Sequence, residues 1–242
     1  MTILERSASL RKVAGKDSAV TADQPRLSGR QEQARRNDAV ILAAARTVFV
    51  ADPDAPIAAV AKHAGVNISS LYRRFDSKED LIRRLCSDGL QTYIEIAQAA
   101  IDDEEGEQWG VFSAFMRRIM EADNHALTVR LAGRFTPTRQ NQRDAARAFT
   151  LNEQLVARMQ GAGLLRDDVD ANDLTYVFEQ LSCLNAPTAQ RTAELRSRYL
   201  ALHLDALRAP GRTPLPGPPP TAKEVAARWR AARHAAAVRS RA

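Results

Sequence analysis

Four side chains a third of the way along the chain, Ser69, Ser70, Arg73 and Arg74, offer hydroxyls and guanidiniums with no carboxylate among them. Projected at about 100° per residue, the run Ile68 to Phe75 separates into an apolar side of Ile68, Leu71 and Phe75 and a polar side carrying those four residues. Short hydroxyl side chains let a backbone approach closely, and arginine can fork onto guanine edges or phosphate oxygens. Tyr72 falls on the border between the two sides, where its ring can pack while its hydroxyl reaches a phosphate. Lys78, in the first turn of the next predicted helix beside exposed amides, is placed for another phosphate. The chemistry implied is recognition of a polyanion with readable edges.

Other chemistry finds little support. The histidines His63, His125, His203 and His234 stand alone in sequence, and there is no HExxH, no GxSxG and no glycine-rich phosphate loop after a strand. Catalytic residues, a metal and a cofactor are therefore not expected, and the chain is not read as an enzyme. Cys86 and Cys183 lie far apart with no partner at ligand spacing, so neither a disulfide framework nor a zinc site is implied, and a reducing cytoplasm is the expected setting. Asp168, Asp170, Asn172 and Glu179 imitate a calcium loop, but Asp173 occupies the position where the sharp turn needs glycine. Those acids are expected to cap a helix beginning near Asn172 instead.

The elements that must position the polar face follow from periodicity. Ile41, Ala44, Ala45, Val48 and Phe49 mark an amphipathic helix from Asn37, with Asp38 in its first turn. The stretch from Ala51 to Pro56 breaks it, a short helix follows to Ala64, and Gly65 supplies a turn. Ser77 is set to cap a fourth helix through the amide of Asp80. Farther on, Trp109, Phe112, Met116, Ile119 and Met120 repeat at helical spacing. Two more helices are expected at about 173–184 and 192–207, the second apolar on two sides: Leu195, Tyr199, Leu202 and Ala206 on one, Leu200, Leu204 and Leu207 on the other. One intramolecular contact cannot cover both, so a partner helix is the simplest cover.

With 242 residues, 45% of them hydrophobic, and only 11 glycines and 11 prolines, the chain can bury a core and favours helix throughout. No run of about 18 uncharged apolar residues calls for a membrane. The net charge of +6 is uneven: residues 1–36 carry 8 Lys and Arg against 4 Asp and Glu, and residues 207–242 carry 8 against 1. Since the middle is acidic, overall charge is weak support for nucleic acid, and the local acid-free face must carry that argument.

That face lies in a longer pattern. The run Ile57 to Leu81 contains A-x-x-A-G-V-x-x-x-x-L-Y-x-x-F-x-S-K-E-x-L, which resembles the helix-turn-helix of TetR-family transcriptional regulators over about residues 36–90. The resemblance implies an all-α chain: an N-terminal helix-turn-helix DNA-binding domain followed by a C-terminal helical domain for ligand binding and dimerisation. The expected division is a mobile basic arm at 1–34, the DNA-binding domain at 35–90 and the regulatory domain at 91–208. A Pro-rich linker at 209–220 and a basic helix and tail at 221–242 follow, with Thr221 and Glu224 at capping-box spacing. The implied DNA contacts are Ser69, Ser70, Tyr72, Arg73, Arg74 and Lys78; Arg30 of the arm and Arg35 and Arg36 just after it are further contacts to weigh. Pocket candidates are Trp109, Phe112, Met116, Met120, Phe135, Phe149 and Tyr176, and interface candidates are Leu181, Leu195, Tyr199, Leu202 and Ala206. The implied partners are double-stranded operator DNA, a second copy of the chain and a small-molecule effector. Three positions depart from the pattern: Pro56 stands where a hydroxyl residue is common, Ser69 where glycine is, and Arg74 where histidine is. The expected role is a repressor released by its ligand. An activator, a ligand-independent regulator, or a partner- or small-molecule-binding module with a vestigial DNA-binding head are the alternatives.

Overall fold

The computed structural model describes residues 29–122, 127, 128, 131, 133–210, 213–225 and 227. Residues 1–28 of the expected arm and most of the basic tail lie outside them. The described chain is almost entirely helical: α1 (Gly29–Ala51), α2 (Ile57–Ala64), α3 (Ile68–Tyr72), α4 (Lys78–Asp102), α5 (Gln108–Ala122), α6 (Arg139–Gly161), α7 (Ala171–Ser182) and α8 (Ala189–Leu207). None of the described helices is long and apolar enough to cross a membrane.

Local chemistry fixes the ends. Gly65 takes φ 66°, the left-handed region that a side chain disfavours, and lets the Val66 amide reach back to the Ala61 carbonyl at 3.0 Å. Asn67 caps α3 by accepting from the Ser69 amide at 2.9 Å, and Ser77 caps α4 by accepting from the Asp80 amide at 3.0 Å. The acids Asp168 and Asp170 at calcium-loop spacing are engaged in an ion pair and as the expected helix cap. Asp170 and Asp173 form a reciprocal cap at the start of α7, and Asp168 pairs with Arg166. Among the described residues, no cluster of His, Cys, Asp or Glu could hold a metal ion.

Two expectations about boundaries change. The first helix begins at Gly29, not Asn37, so Asp38 sits within its length and answers to a tertiary partner rather than to a helix dipole. Residues 78–102 form one helix, so the expected boundary at 90 falls inside α4.

Two apolar clusters result. The head core gathers Ile41, Ala45, Phe49, Val60, Leu71, Phe75, Leu81 and Leu85, and takes in Leu127 and Leu131 from the connection between α5 and α6. The body core runs from Ile94 on α4 through Phe112, Phe115 and Met116 to Phe178 and Leu200. α4 contributes to both, and Arg134 ties the connection to the head through a two-point pairing with Asp54 at 3.0 and 2.8 Å.

Candidate nucleic-acid interface

The turn between α2 and α3 decides what faces solvent. Leu71 is fully buried and Phe75 nearly so, which anchors α3 against α1 and α2. Ile68, expected beside them, is 40% exposed. Ile68 is the first residue of α3, which has five residues before the chain turns, with the Arg74 and Phe75 amides both donating to the Leu71 carbonyl at 3.0 Å. A 100° projection carried through residue 75 therefore overstates the helix. Ile68 projects at its first turn, where an apolar side chain suits a thymine methyl.

The exposed strip comprises Asn67, Ile68, Ser69, Tyr72 and Arg73, with Lys62 and His63 at the end of α2 also exposed. Arg73 Nη2 donates to Ser70 Oγ at 2.8 Å, so these two are preset relative to each other. The neighbouring arginine behaves differently. Arg74 Nη1 donates to a carboxylate oxygen of Asp38 and, at 2.9 Å, to the carbonyl of Ala34, turning the guanidinium back onto α1. Arg74 is thus placed to fix the angle between α1 and the α2–α3 turn, not to point outward. Lys78 is half-buried, its Nζ 5.4 Å from the centre of the Phe49 ring. Burial lowers its pKa most, with Asp54 pulling the other way.

Lys62, His63, Asn67 and Ile68 were not among the expected contacts. The capping preference of asparagine was a usable signal for Asn67; nothing in periodicity marked Ile68. Arg36 is exposed, while the side chains of Arg30 and Arg35 lie outside the described set.

The seven pocket candidates do not converge. Phe112 and Met116 are fully buried, and Trp109, Phe112, Phe115, Tyr93 and Phe178 form a chain of ring contacts with centroids 5.5–6.3 Å apart. That chain is packing. The Tyr93 hydroxyl donates to Asn152 at 2.9 Å, and burial holds the phenol well above its ordinary pKa. Phe149 packs on the outside of this core, whereas Phe135 packs on the head core. Met120 lines a groove between head and body, and Tyr176 lines another with Pro218, Pro219 and Pro220.

Of the interface candidates, Leu181 is buried in the body and Leu195 is half-buried. Tyr199 and Leu202 are 42% and 55% exposed and Ala206 is exposed beside them, while Leu200, Leu204 and Leu207 face inward. The two-sided pattern of α8 is therefore present, one side covered and one bare.

Residues 41–85 match the family described as bacterial regulatory proteins, tetR family. No curated protein matches the chain. Among solved structures, a TetR transcriptional regulator from Streptomyces coelicolor is 23% identical at a TM-score of 0.52, covering 71% of this chain and 98% of its own. A TetR transcription regulatory protein from Mycobacterium vanbaalenii is 23% identical at 0.53, covering 74% and 99%. The TetR-like regulator LfrR from Mycobacterium smegmatis, solved in complex with proflavine, is 16% identical at 0.53, covering 75% and 99%. At these identities the likeness is one of fold.

Proposed function

We propose that this chain, whose head belongs to the tetR family of bacterial regulatory proteins and whose described residues share the TetR-regulator fold, is a homodimeric repressor released from its operator by a small molecule. The observation that carries the DNA-binding reading is the exposed, acid-free strip of Asn67, Ile68, Ser69, Tyr72 and Arg73 on a buried anchor of Leu71 and Phe75. Arg73 is the base reader, Ser69 and Asn67 allow close backbone approach, and Tyr72 grips phosphate. Ser70 orients Arg73, Arg74 braces the turn, and Lys78 supplies a phosphate contact once its ammonium leaves the Phe49 ring.

A homodimer is supported by the bare Tyr199–Leu202–Ala206 side of α8, since an apolar stripe of this kind is costly in water. Two heads on one dimer would then meet successive major grooves. The effector reading draws on relatives: one was solved with proflavine, and another is described as a gamma-butyrolactone receptor.

Selection of bound duplexes from a random-sequence library tests the reading directly. A recovered palindromic site is expected, with affinity falling steeply as salt rises. Arg73→Ala should cost about 1–3 kcal/mol on that site and relax its sequence preference. An equal loss on every sequence would make Arg73 a phosphate contact, and no enrichment at all would leave the head vestigial.

A further inference from the structure

Resting on the effector reading above, we propose that the effector site is the groove at the seam between head and body, and that it takes an amphipathic organic anion. The groove measures about 600 Å³, within the range of small-molecule sites. Its apolar walls include Val50 of α1, Met120 of α5, Leu184 after α7 and Leu200 of α8. Trp109, Phe112, Phe115 and Phe178 of the body fill their space by ring packing, whereas at the seam an apolar skeleton can enter without first displacing a core side chain.

Charge decides the class. Arg117 and Arg196 stand on the lining against a single carboxylate, Glu121. Arg196 donates to the Ser182 carbonyl at 3.0 Å and is engaged, but Arg117 has no hydrogen bond or ion pair among the described residues. A guanidinium without a partner, beside an apolar wall, suits a carboxylate held through two parallel bonds. Glu121, one turn farther along α5, repels an anion at its own end and so fixes which way the ligand lies.

The location supplies the regulatory link. α1 belongs to the head, and α8 carries the bare side assigned to dimerisation, so a ligand between them touches both the reader and the element that sets the spacing of two readers. A molecule that fits one separation of α1 and α8 better than another shifts the population of heads that match the operator.

The test uses the full chain and three probes of one chain length below their micelle-forming concentrations: decanoate, decan-1-ol and decyltrimethylammonium. Decanoate is expected to raise the melting temperature and to bind at least about tenfold more tightly than the cation, a difference of one well-formed charged contact. Arg117→Glu, an exposed position, should reverse that order while leaving decan-1-ol unchanged. Ala193→Trp, which fills the groove from α8, should remove binding of decanoate and decan-1-ol alike. Decanoate binding no tighter than the cation, or surviving both substitutions, overturns the site. With a selected duplex in hand, decanoate should release it; saturable binding without release overturns the effector role. If no duplex can be selected, the melting measurements still decide the groove by themselves, so the two readings fail separately.

Discussion

The reading face of the head and the seam groove are built in opposite ways. Gly65, Asn67, Leu71, Phe75 and Ser77 lie within one short stretch, and each end is closed by a neighbour a few residues away. The groove instead joins Val50, Arg117 and Ala193, which only the packing of α1, α5 and α8 brings together. A local device keeps its shape as long as its anchor is buried. A seam changes shape whenever its helices shift, which is what a switch requires and what a reader must avoid.

The largest effects should come from the two cores. Phe112→Ala in the body should cost about 3–5 kcal/mol and Leu71→Ala in the head about 2–5 kcal/mol, because both side chains are fully buried. If head and body were independent, each variant would shift one of two unfolding transitions in urea. We expect a single transition displaced by either, since α4 runs through both clusters and Leu127 and Leu131 sit in the head core. Separate transitions would break the picture of a head steered by its body.

A smaller effect sharpens the difference between adjacent arginines. Arg74 and Asp38 are 26% and 44% exposed, so their pairing contributes modestly, on the order of 0.2–1 kcal/mol for a surface pair. The sign is the useful part. Removing an acid from a DNA-facing head raises affinity on charge alone, yet Asp38→Ala should lower operator affinity, by about as much as Arg74→Ala, because both release the same brace. The double variant should lose little more than either single one. Tighter binding by Asp38→Ala would return Arg74 to the DNA.

These arginines also show how far the sequence could be read. The caps at Asn67, Ser77 and Asp170 and the turn at Gly65 involve residues at most a few positions apart, so spacing alone exposed most of them. Periodicity likewise found the two sides of α8. It could not tell that α3 stops at Tyr72, because termination there depends on Phe75 reaching a core formed by α1 and α2. Nor could it separate a packed aromatic stripe from a lined cavity: Trp109, Phe112 and Met116 have the same spacing in either case, and the choice lies with Tyr93 and Phe178 on other helices. The pairing of Asp38 with Arg74 and the seam groove are wholly tertiary, and no local pattern carries them.

The smallest effect concerns the Pro-rich segment, expected as a linker. Its start is fastened: the Ala209 amide donates to the Leu164 carbonyl at 2.9 Å, Arg166 donates to the Thr213 carbonyl at 2.7 Å, and the Leu215 amide donates to Asp168 at 2.9 Å. Arg166 beside Asp168, and then the Leu215 amide, hold that carboxyl well below the usual carboxylate range. A depressed folded pKa means the fastening is fully present above the ordinary aspartate value of about 3.9 and is lost only as pH falls through the lower folded value. Protection of the Leu215 amide from hydrogen exchange, corrected for intrinsic rate, should therefore stay level from pH 8 down to 5. Asp168→Asn should lower that protection at every pH while leaving the melting temperature of the body nearly unchanged, because Asp168 lies partly exposed at the surface and outside the body core. Protection that fell between pH 7 and 5 would point to a histidine as the fastening group. The segment would then respond to physiological pH, and the contrast between a fixed reader and an adjustable body would extend to its last described residues.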